Sequence, residues 1–214
     1  MALVETLVVS LFESNCFIVH GNEPGRVLVV DPGDDAPSIL QHLQEKNLSV
    51  AAYLITHGHV DHVNALAAMV DLMPAPIAMH PLDAAWAFTE RAAFPPYYPA
   101  PRAPAQIDRM LADGQEWRDL GLSYRIIETP GHSPGGVAFY FPREKMVFSG
   151  DNLFRGSIGR SDLPGANPGH LANSLRTLLT LPDDTRVFGG HGPDTTIGRE
   201  RKTNPYLQSF DWSG

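Results

Sequence analysis

His57-Gly58-His59-Val60-Asp61-His62 stands directly behind an apolar run at residues 50–56, and its reading decides the rest of the chain. Side chains two apart on a helix point away from one another, so His57 and His59 cannot share a helix face. In an extended segment they project to the same side. The motif therefore begins where a strand ends. Gly58 permits a tight backbone path, and Asp61 and His62 open the next helix, where an acid suits the positive end of the dipole. Imidazole and carboxylate are ligands of Zn(II), and they suit Fe(II) and Mn(II) as well. Four such groups in one loop exceed what a single ion readily takes from it. Two neighbouring ions are expected, each with further ligands from elsewhere.

Upstream of the motif, residues 3–11, 16–20 and 26–30 read as strands, with Glu13-Ser14-Asn15 as a turn signal between the first two. Residues 38–46 carry Ile39, Leu40 and Leu43 at helical spacing. Downstream, Val63, Leu66, Ala67 and Val70 recur on one helix face. Residues 76–80 read as a strand and 81–92 as a helix with Pro81 at its start. Pro95, Pro96, Pro99, Pro101 and Pro104 make residues 94–104 a stiff loop, with Tyr97 and Tyr98 as candidate residues of a cleft mouth. Strands are expected at 115–120, 123–128, 137–141, 146–149 and 185–188, and a helix at 168–181. Strands and helices in this order suit two sheets packed face to face with helices outside. One domain over residues 1–214 fits the length.

Candidates for the further ligands recur in one setting. His132 lies in Thr129-Pro130-Gly131-His132-Ser133, Asp151 follows Ser149-Gly150, and His191 lies in Gly189-Gly190-His191-Gly192. Each is a ligand type at the C-terminal end of an expected strand, flanked by small residues that let an ion approach. His20, His42, His80 and His170 have no ligand neighbours in their own segments and read as surface or satisfied polar residues.

Composition limits the alternatives. Hydrophobic residues make up 43% and charged residues 19%, a globular balance. A chain this long buries enough surface to fold without a structural metal, so metal here serves chemistry. A net charge of −8 argues against nucleic acid as a partner. Cys16 is the sole cysteine, so no internal disulfide can form, and it reads as a buried small residue. The first residues lack a basic n-region and carry Glu5, so they read as a strand rather than a signal peptide. No apolar run approaches the roughly 20 residues of a membrane span. A cytoplasmic enzyme acting on a small molecule, with no membrane partner, is the expectation.

His57-x-His59-x-Asp61-His62, followed in order by His132, Asp151 and His191, resembles the metallo-β-lactamase superfamily. Gly150-Asp151-Asn152-Leu153-Phe154, Gly159-Arg160-Ser161-Asp162-Leu163-Pro164-Gly165, Gly190-His191-Gly192-Pro193 and Thr196-Ile197-Gly198-Arg199-Glu200 resemble its short bacterial glyoxalase II-like hydrolases. The resemblance covers nearly the whole chain. It implies an αββα sandwich of two mixed β-sheets with helices on the outer faces. It also implies two divalent transition-metal ions, zinc foremost, with iron or manganese as alternatives. His57, His59 and His132 are implied to bind the first ion, and Asp61, His62 and His191 the second. Asp151 would bridge the two, and Asp61 and Asp151 would be the catalytic carboxylates. Asp31 is implied to support the ligating groups from behind.

The implied reaction is attack of a metal-bound hydroxide on a thioester such as S-D-lactoylglutathione. Arg160 takes the place of a basic residue that holds a substrate carboxylate, while Asp162 stands where an aromatic residue is expected. The chain ends at Gly214 without the helical extension of full-length glyoxalase II. Three alternatives stay open. One is a persulfide dioxygenase with a single iron on His57, His132 and Asp151. Another is a lactonase or β-lactamase on the same scaffold. The third is a metal-binding protein without turnover.

Overall fold

Along β2 (Ser14–His20), Cys16 and Ile18 turn to one face and Phe17 and Val19 to the other, and all four are buried. A strand apolar on both faces must be covered on both. β3 (Arg26–Val30) repeats the pattern: Val27 and Val29 join Cys16 and Ile18, while Leu28 and Val30 join Phe17 and Val19. A computed structural model describes residues 3–208 and shows how both faces are filled. Residues 1–2 and the end at Gly214 lie outside the described residues.

Six strands form the first sheet in chain order: β1 (Val4–Val9), β2, β3, β4 (Ser49–Leu54), β5 (Ile77–Met79) and β6 (Arg109–Met110). Its first two pairings are antiparallel and its last three parallel. The second sheet contains β7 (Glu116–Asp119), β8 (Leu122–Glu128), β9 (Val137–Phe141), β10 (Met146–Gly150), β13 (Arg186–Gly189) and β14 (Thr195–Thr196). β10 and β13 run parallel, and the other pairs are antiparallel. A two-stranded hairpin, β11 (Leu153–Phe154) with β12 (Ser157–Ile158), lies between β10 and β13 in the chain.

The inner layer joins Phe17, Leu28 and Leu54 of the first sheet to Ile126, Phe139, Phe148 and Phe188 of the second. Phe148 is its hub. Its ring centroid lies 5.0 Å from Phe188, 5.1 Å from Phe17 and 5.8 Å from Phe141. Such aromatic pairs each contribute about 0.5–1.5 kcal/mol beyond their buried area. α1 (Ala36–Glu45) and α3 (Leu66–Leu72) cover the outer face of the first sheet through Ile39, Leu43, Leu66 and Met69. α5 (Pro168–Leu178) and α6 (Ile197–Thr203) cover the second through Leu171, Leu175, Leu178 and Ile197. This is the expected αββα sandwich.

Several boundaries differ from the sequence reading. The turn after β1 is Ser10–Glu13, with Ser10 and Glu13 at positive φ, and Ser14 and Asn15 already belong to β2. The expected helix at 81–92 is only α4 (Pro81–Ala84), followed by turns and a 3-10 turn at Glu90–Ala92. Thr89 is extended and its hydroxyl accepts a hydrogen bond from the Arg91 N–H, which caps a new turn instead of continuing the old one. Pro95 and Pro96 then bar any helix beyond it. The hairpin β11–β12, β6, β14, α6 and α7 (Pro205–Gln208) were not expected. Cys16 is fully buried, as expected. No helix among the described residues is long and apolar enough to cross a membrane.

Candidate metal centre

β8, β10 and β13 run in one direction, because β9 is antiparallel to both β8 and β10 while β10 and β13 are parallel. Their C-terminal ends therefore share one edge of the second sheet. His132, Asp151 and His191 follow those three ends. On the first sheet, β3 and β4 also run parallel, and Asp31 and the His57–His62 segment follow their ends. Packing the sheets brings the two edges together. The seven ligand candidates and Asp31 thus meet in one place although they span residues 31 to 191.

Two triads of donor atoms lie within 4.8 Å of one another: His57 with His59 and His132, and Asp61 with His62 and His191. Asp151 touches both. Its Oδ1 is 3.5 Å from His62 Nε2, and its Oδ2 is 3.4 Å from both His132 Nε2 and His191 Nε2. Asp61 Oδ2 is 3.6 Å from His62 Nε2 and 3.4 Å from His191 Nε2. These spacings exceed ordinary hydrogen-bond lengths. They match the edge of a tetrahedron, about 3.4 Å, when each ligand stands about 2.1 Å from a central ion. His57 Nε2, His62 Nε2 and Asp151 Oδ1 are buried with no hydrogen-bond partner. Such orphaned atoms are costly unless something else coordinates them. The residues present therefore fit divalent ions.

Each ring is aimed by the nitrogen that faces away from the centre. His62 Nδ1 meets Asp31 Oδ2 at 3.1 Å. Asp31 also accepts from the Thr56 N–H at 2.8 Å and the Thr56 hydroxyl at 2.5 Å. The Thr56 oxygen faces His57 Nδ1 at 3.0 Å. His132 Nδ1 donates to the Arg160 carbonyl at 2.9 Å, and His191 Nδ1 to the Phe12 carbonyl at 3.0 Å. These contacts fix which nitrogen is free, the usual arrangement behind ligating histidines. His59 is the exception: its Nδ1 points inward, 2.8 Å from His132 Nε2, and Trp86 packs edge-on against its ring. Asp31 also lies close to His57 and His62, but its oxygens are already engaged by Thr56 and His62. It supports the rings rather than completing a third triad.

Glycine is required at two points. A Cβ on Gly190 would stand 2.1 Å from Asp151 Oδ1, inside the cluster. Gly150 has φ +50°, and a Cβ there would press on Thr56 at 2.6 Å. Asn15, at the start of β2, anchors the His191 loop by donating to the carbonyls of Gly189 and Gly192 at 2.9 and 2.8 Å.

Electrostatics divide the centre in two. Burial disfavours charge on His57, and the neighbouring His62 adds to this, so its pKa falls well below the usual value. Burial and His132 lower His59 to about 4. The other half behaves oppositely. Burial opposes charge on His62, yet Asp61, Asp151 and Asp31 lift it to about 9. Burial likewise opposes charge on His191, but hydrogen bonds to Asp151 and Asp61 raise it to about 11. Burial would raise the Asp151 carboxyl, but His62, His191 and His57 hold it well below its ordinary range. Asp61 is lowered in the same way, burial being outweighed by His62 and His191.

Above the centre lies a cleft of about 400 Å³, lined by Phe12, Trp86, Phe94, Leu163 and Pro164 and by Arg91 and Arg160. Arg160 reaches the cleft, but its guanidinium forks onto Asp162 with two contacts of 2.9 Å. Tyr98 does not line the cleft. Its hydroxyl accepts from the Leu11 N–H and donates to Asp34, which ties the proline-rich loop to the turn after β1. Phe12 and Phe94, not Tyr97 and Tyr98, contribute the aromatic wall. Of the four histidines set aside, His80 is buried against Glu128, and His20 and His42 share Glu5 with Lys46.

Thr56, Asn15 and Asp83 were missed by the sequence reading. Asp83 is fully buried. It accepts from the Gly58 N–H at 2.8 Å, the Gly135 N–H at 2.6 Å and the Trp86 indole at 3.2 Å. It thus braces the His57–His62 loop against the loop that carries His132. In the sequence it is an ordinary acid in the first turn of a helix, and no local signal marks it. Asp83→Ala strands three buried N–H groups, two of the backbone and the Trp86 indole. It is expected to lower stability by about 2 kcal/mol and metal affinity by about tenfold. A urea melt and a chelator competition check both.

A sequence model of the metallo-beta-lactamase superfamily matches residues 9–191. Hydroxyacylglutathione hydrolase GloC of Haemophilus influenzae is 35% identical over 219 residues, which covers 96% of this chain and 98% of that protein. The crystal structure of TTHA1623 in a di-iron-bound form superposes with a TM-score of 0.86 at 42% identity, covering 95% of this chain and all of that one. The BLEG-1 B3 metallo-beta-lactamase superposes with a TM-score of 0.89 at 32% identity, covering 97% of this chain and all of that one.

Proposed function

The chain belongs to the metallo-β-lactamase superfamily, whose members are metal-dependent hydrolases, and we propose that it cleaves a thioester such as S-D-lactoylglutathione at a two-metal centre. The whole chain would act as one catalytic domain. One observation carries this reading: Asp151 turns one oxygen to His62 and the other to His132 and His191, so a single carboxylate spans both triads. In this assignment His57, His59 and His132 hold one ion, Asp61, His62 and His191 the other, and Asp151 both. Zinc is favoured by the nitrogen-rich donor set. The likeness to a protein crystallised with two irons supports iron as its rival, with manganese third. Similarity to a hydroxyacylglutathione hydrolase over almost the whole chain supports the thioester.

When bound, such ions polarise a carbonyl and make water nucleophilic at neutral pH. The chain's own residues supply the rest. Asp61 and Asp151 face the cleft and are held ionised, so each presents a charged oxygen that would hold a cation and orient water there. Asp31 and Thr56 keep His62 and His57 in register through one shared network. Phe12, Trp86, Phe94 and Leu163 limit water around the scissile bond, which strengthens every charge interaction inside. A thiolate is a stable leaving group, so no dedicated acid is needed to expel it.

A single-iron oxygenase on His57, His132 and Asp151 would leave the converging donors of Asp61, His62 and His191 without a task. Protein loaded with Zn(II), Fe(II) or Mn(II) is expected to hydrolyse S-lactoylglutathione and to stop when a chelator is added. One iron per chain, with oxygen uptake on glutathione persulfide and no thioester turnover, would overturn the proposal.

A further inference from the structure

Two arginines reach the cleft above the centre, and they differ in what they already hold. Arg160 is engaged on both faces of its chemistry. Its guanidinium forks onto Asp162, and its carbonyl accepts from His132 Nδ1. Arg91 stands in the 3-10 turn Glu90–Ala92, among the lining residues Ala92, Ala93 and Phe94. Its backbone N–H is held by the Thr89 hydroxyl, which fixes the turn. Its guanidinium pairs with no carboxylate among the described residues.

An unpaired guanidinium matters in this particular cleft. The floor carries Asp61 and Asp151, and the chain as a whole has a net charge of −8. An anionic substrate entering metal-free protein would meet repulsion from both. Much of the wall is apolar: Phe12, Val60, Trp86, Phe94, Leu163 and Pro164. Guanidinium matches carboxylate as a planar two-point donor. A polar handle beside an apolar wall is the usual layout of a small-molecule site.

We propose that Arg91, rather than Arg160, is the cation that holds the carboxylate of the substrate, so that the cleft takes a thioester carrying a carboxylate at the end away from the scissile bond. The geometry is independent of the thioester reading, but the choice of substrate rests on it. Arg91 is thus a specificity-determining residue. The Arg160–Asp162 pair is a rim element whose backbone orients His132.

Binding of S-hexylglutathione, a thioether that cannot be hydrolysed, and of its dimethyl ester tests this by calorimetry on metal-loaded protein. Arg91→Gln is expected to weaken S-hexylglutathione about tenfold to a hundredfold, and Arg91→Lys to recover part of the loss. The dimethyl ester should bind wild type and Arg91→Gln alike. The double variant Arg160→Gln/Asp162→Asn, which removes the rim pair without changing net charge, should bind S-hexylglutathione within about threefold of wild type. Arg91 is exposed and its side chain makes no charge pair, so a melting curve should show Arg91→Gln folded like wild type. In turnover, Arg91→Gln should raise KM for a carboxylated thioester with little change in kcat. Failure of wild type to bind S-hexylglutathione would overturn the inference. So would equal binding of it by Arg91→Gln, an equal loss for the diester, or a larger loss in the rim double variant. If this binding pattern appears but no thioester is hydrolysed, the proposed reaction falls while the role of Arg91 stands.

Discussion

Asp151→Ala is expected to lower thioester hydrolysis by about a thousandfold or more and to reduce bound metal from two ions per chain to at most one. Asp151 reaches both triads from inside the cluster, with one oxygen 3.5 Å from His62 Nε2 and the other 3.4 Å from His132 Nε2 and His191 Nε2. In the proposed assignment, removing it would take a shared ligand from each ion. It also strips His62 and His191 of the buried negative charge that raises both. Metal-free Asp151→Ala should therefore be less stable at pH 7 by about 3 kcal/mol, the scale for breaking a buried ion pair. Asp151→Asn keeps the shape and so separates ligation from packing. It should lose the metal and the rate but less of the stability. Elemental analysis, initial rates and urea melts on both variants check this. Two ions and near-wild-type turnover in Asp151→Asn would contradict it.

The two halves of the centre should also load at different pH. A ring nitrogen must lose its proton before it can bind an ion. His59 is lowered to about 4 and His57 lies well below its usual value, so these two rings carry no proton through the neutral range. Neither ring adds a pH dependence to binding above about pH 5. His62 and His191 are raised to about 9 and about 11, so in metal-free protein both carry protons at neutral pH. Binding in that half displaces about two protons, and its affinity should climb about a hundredfold per pH unit below pH 9. Titration with Co(II) at pH 6 and pH 8 is the check. One tight ion at the lower pH and two at the higher is the expected pattern. Equal pH dependence of both ions would refute the division.

Much of this arrangement was legible in the sequence because strand ends are. The His57–His62 segment, His132, Asp151 and His191 each follow an apolar run with small residues around them. Parallel strand direction then places such ends on one edge. The continuous apolar runs 16–19 and 27–30 likewise require both faces of the sheet to be covered. What escaped was held by contacts between distant loops. Asp83 joins Gly58, 25 residues before it, to Gly135, 52 residues after it, and Asn15 joins β2 to a carbonyl 174 residues away. Neither has a local signature, since Asp suits a helix start and Asn suits a turn. The helix expected over 81–92 failed for a related reason. Its alanine-rich continuation has good local propensity, but the Thr89 cap and the prolines beyond redirect it. Arg91 and Phe94, in and just after the redirected turn, line the cleft.

Anomalous diffraction from crystals of the metal-loaded protein, recorded on either side of the metal absorption edge, tests the central claim most directly. Two peaks are predicted in the pocket, one among His57, His59 and His132 and one among Asp61, His62 and His191, with Asp151 between them. A single peak, or density bound away from these side chains, would contradict the two-metal account.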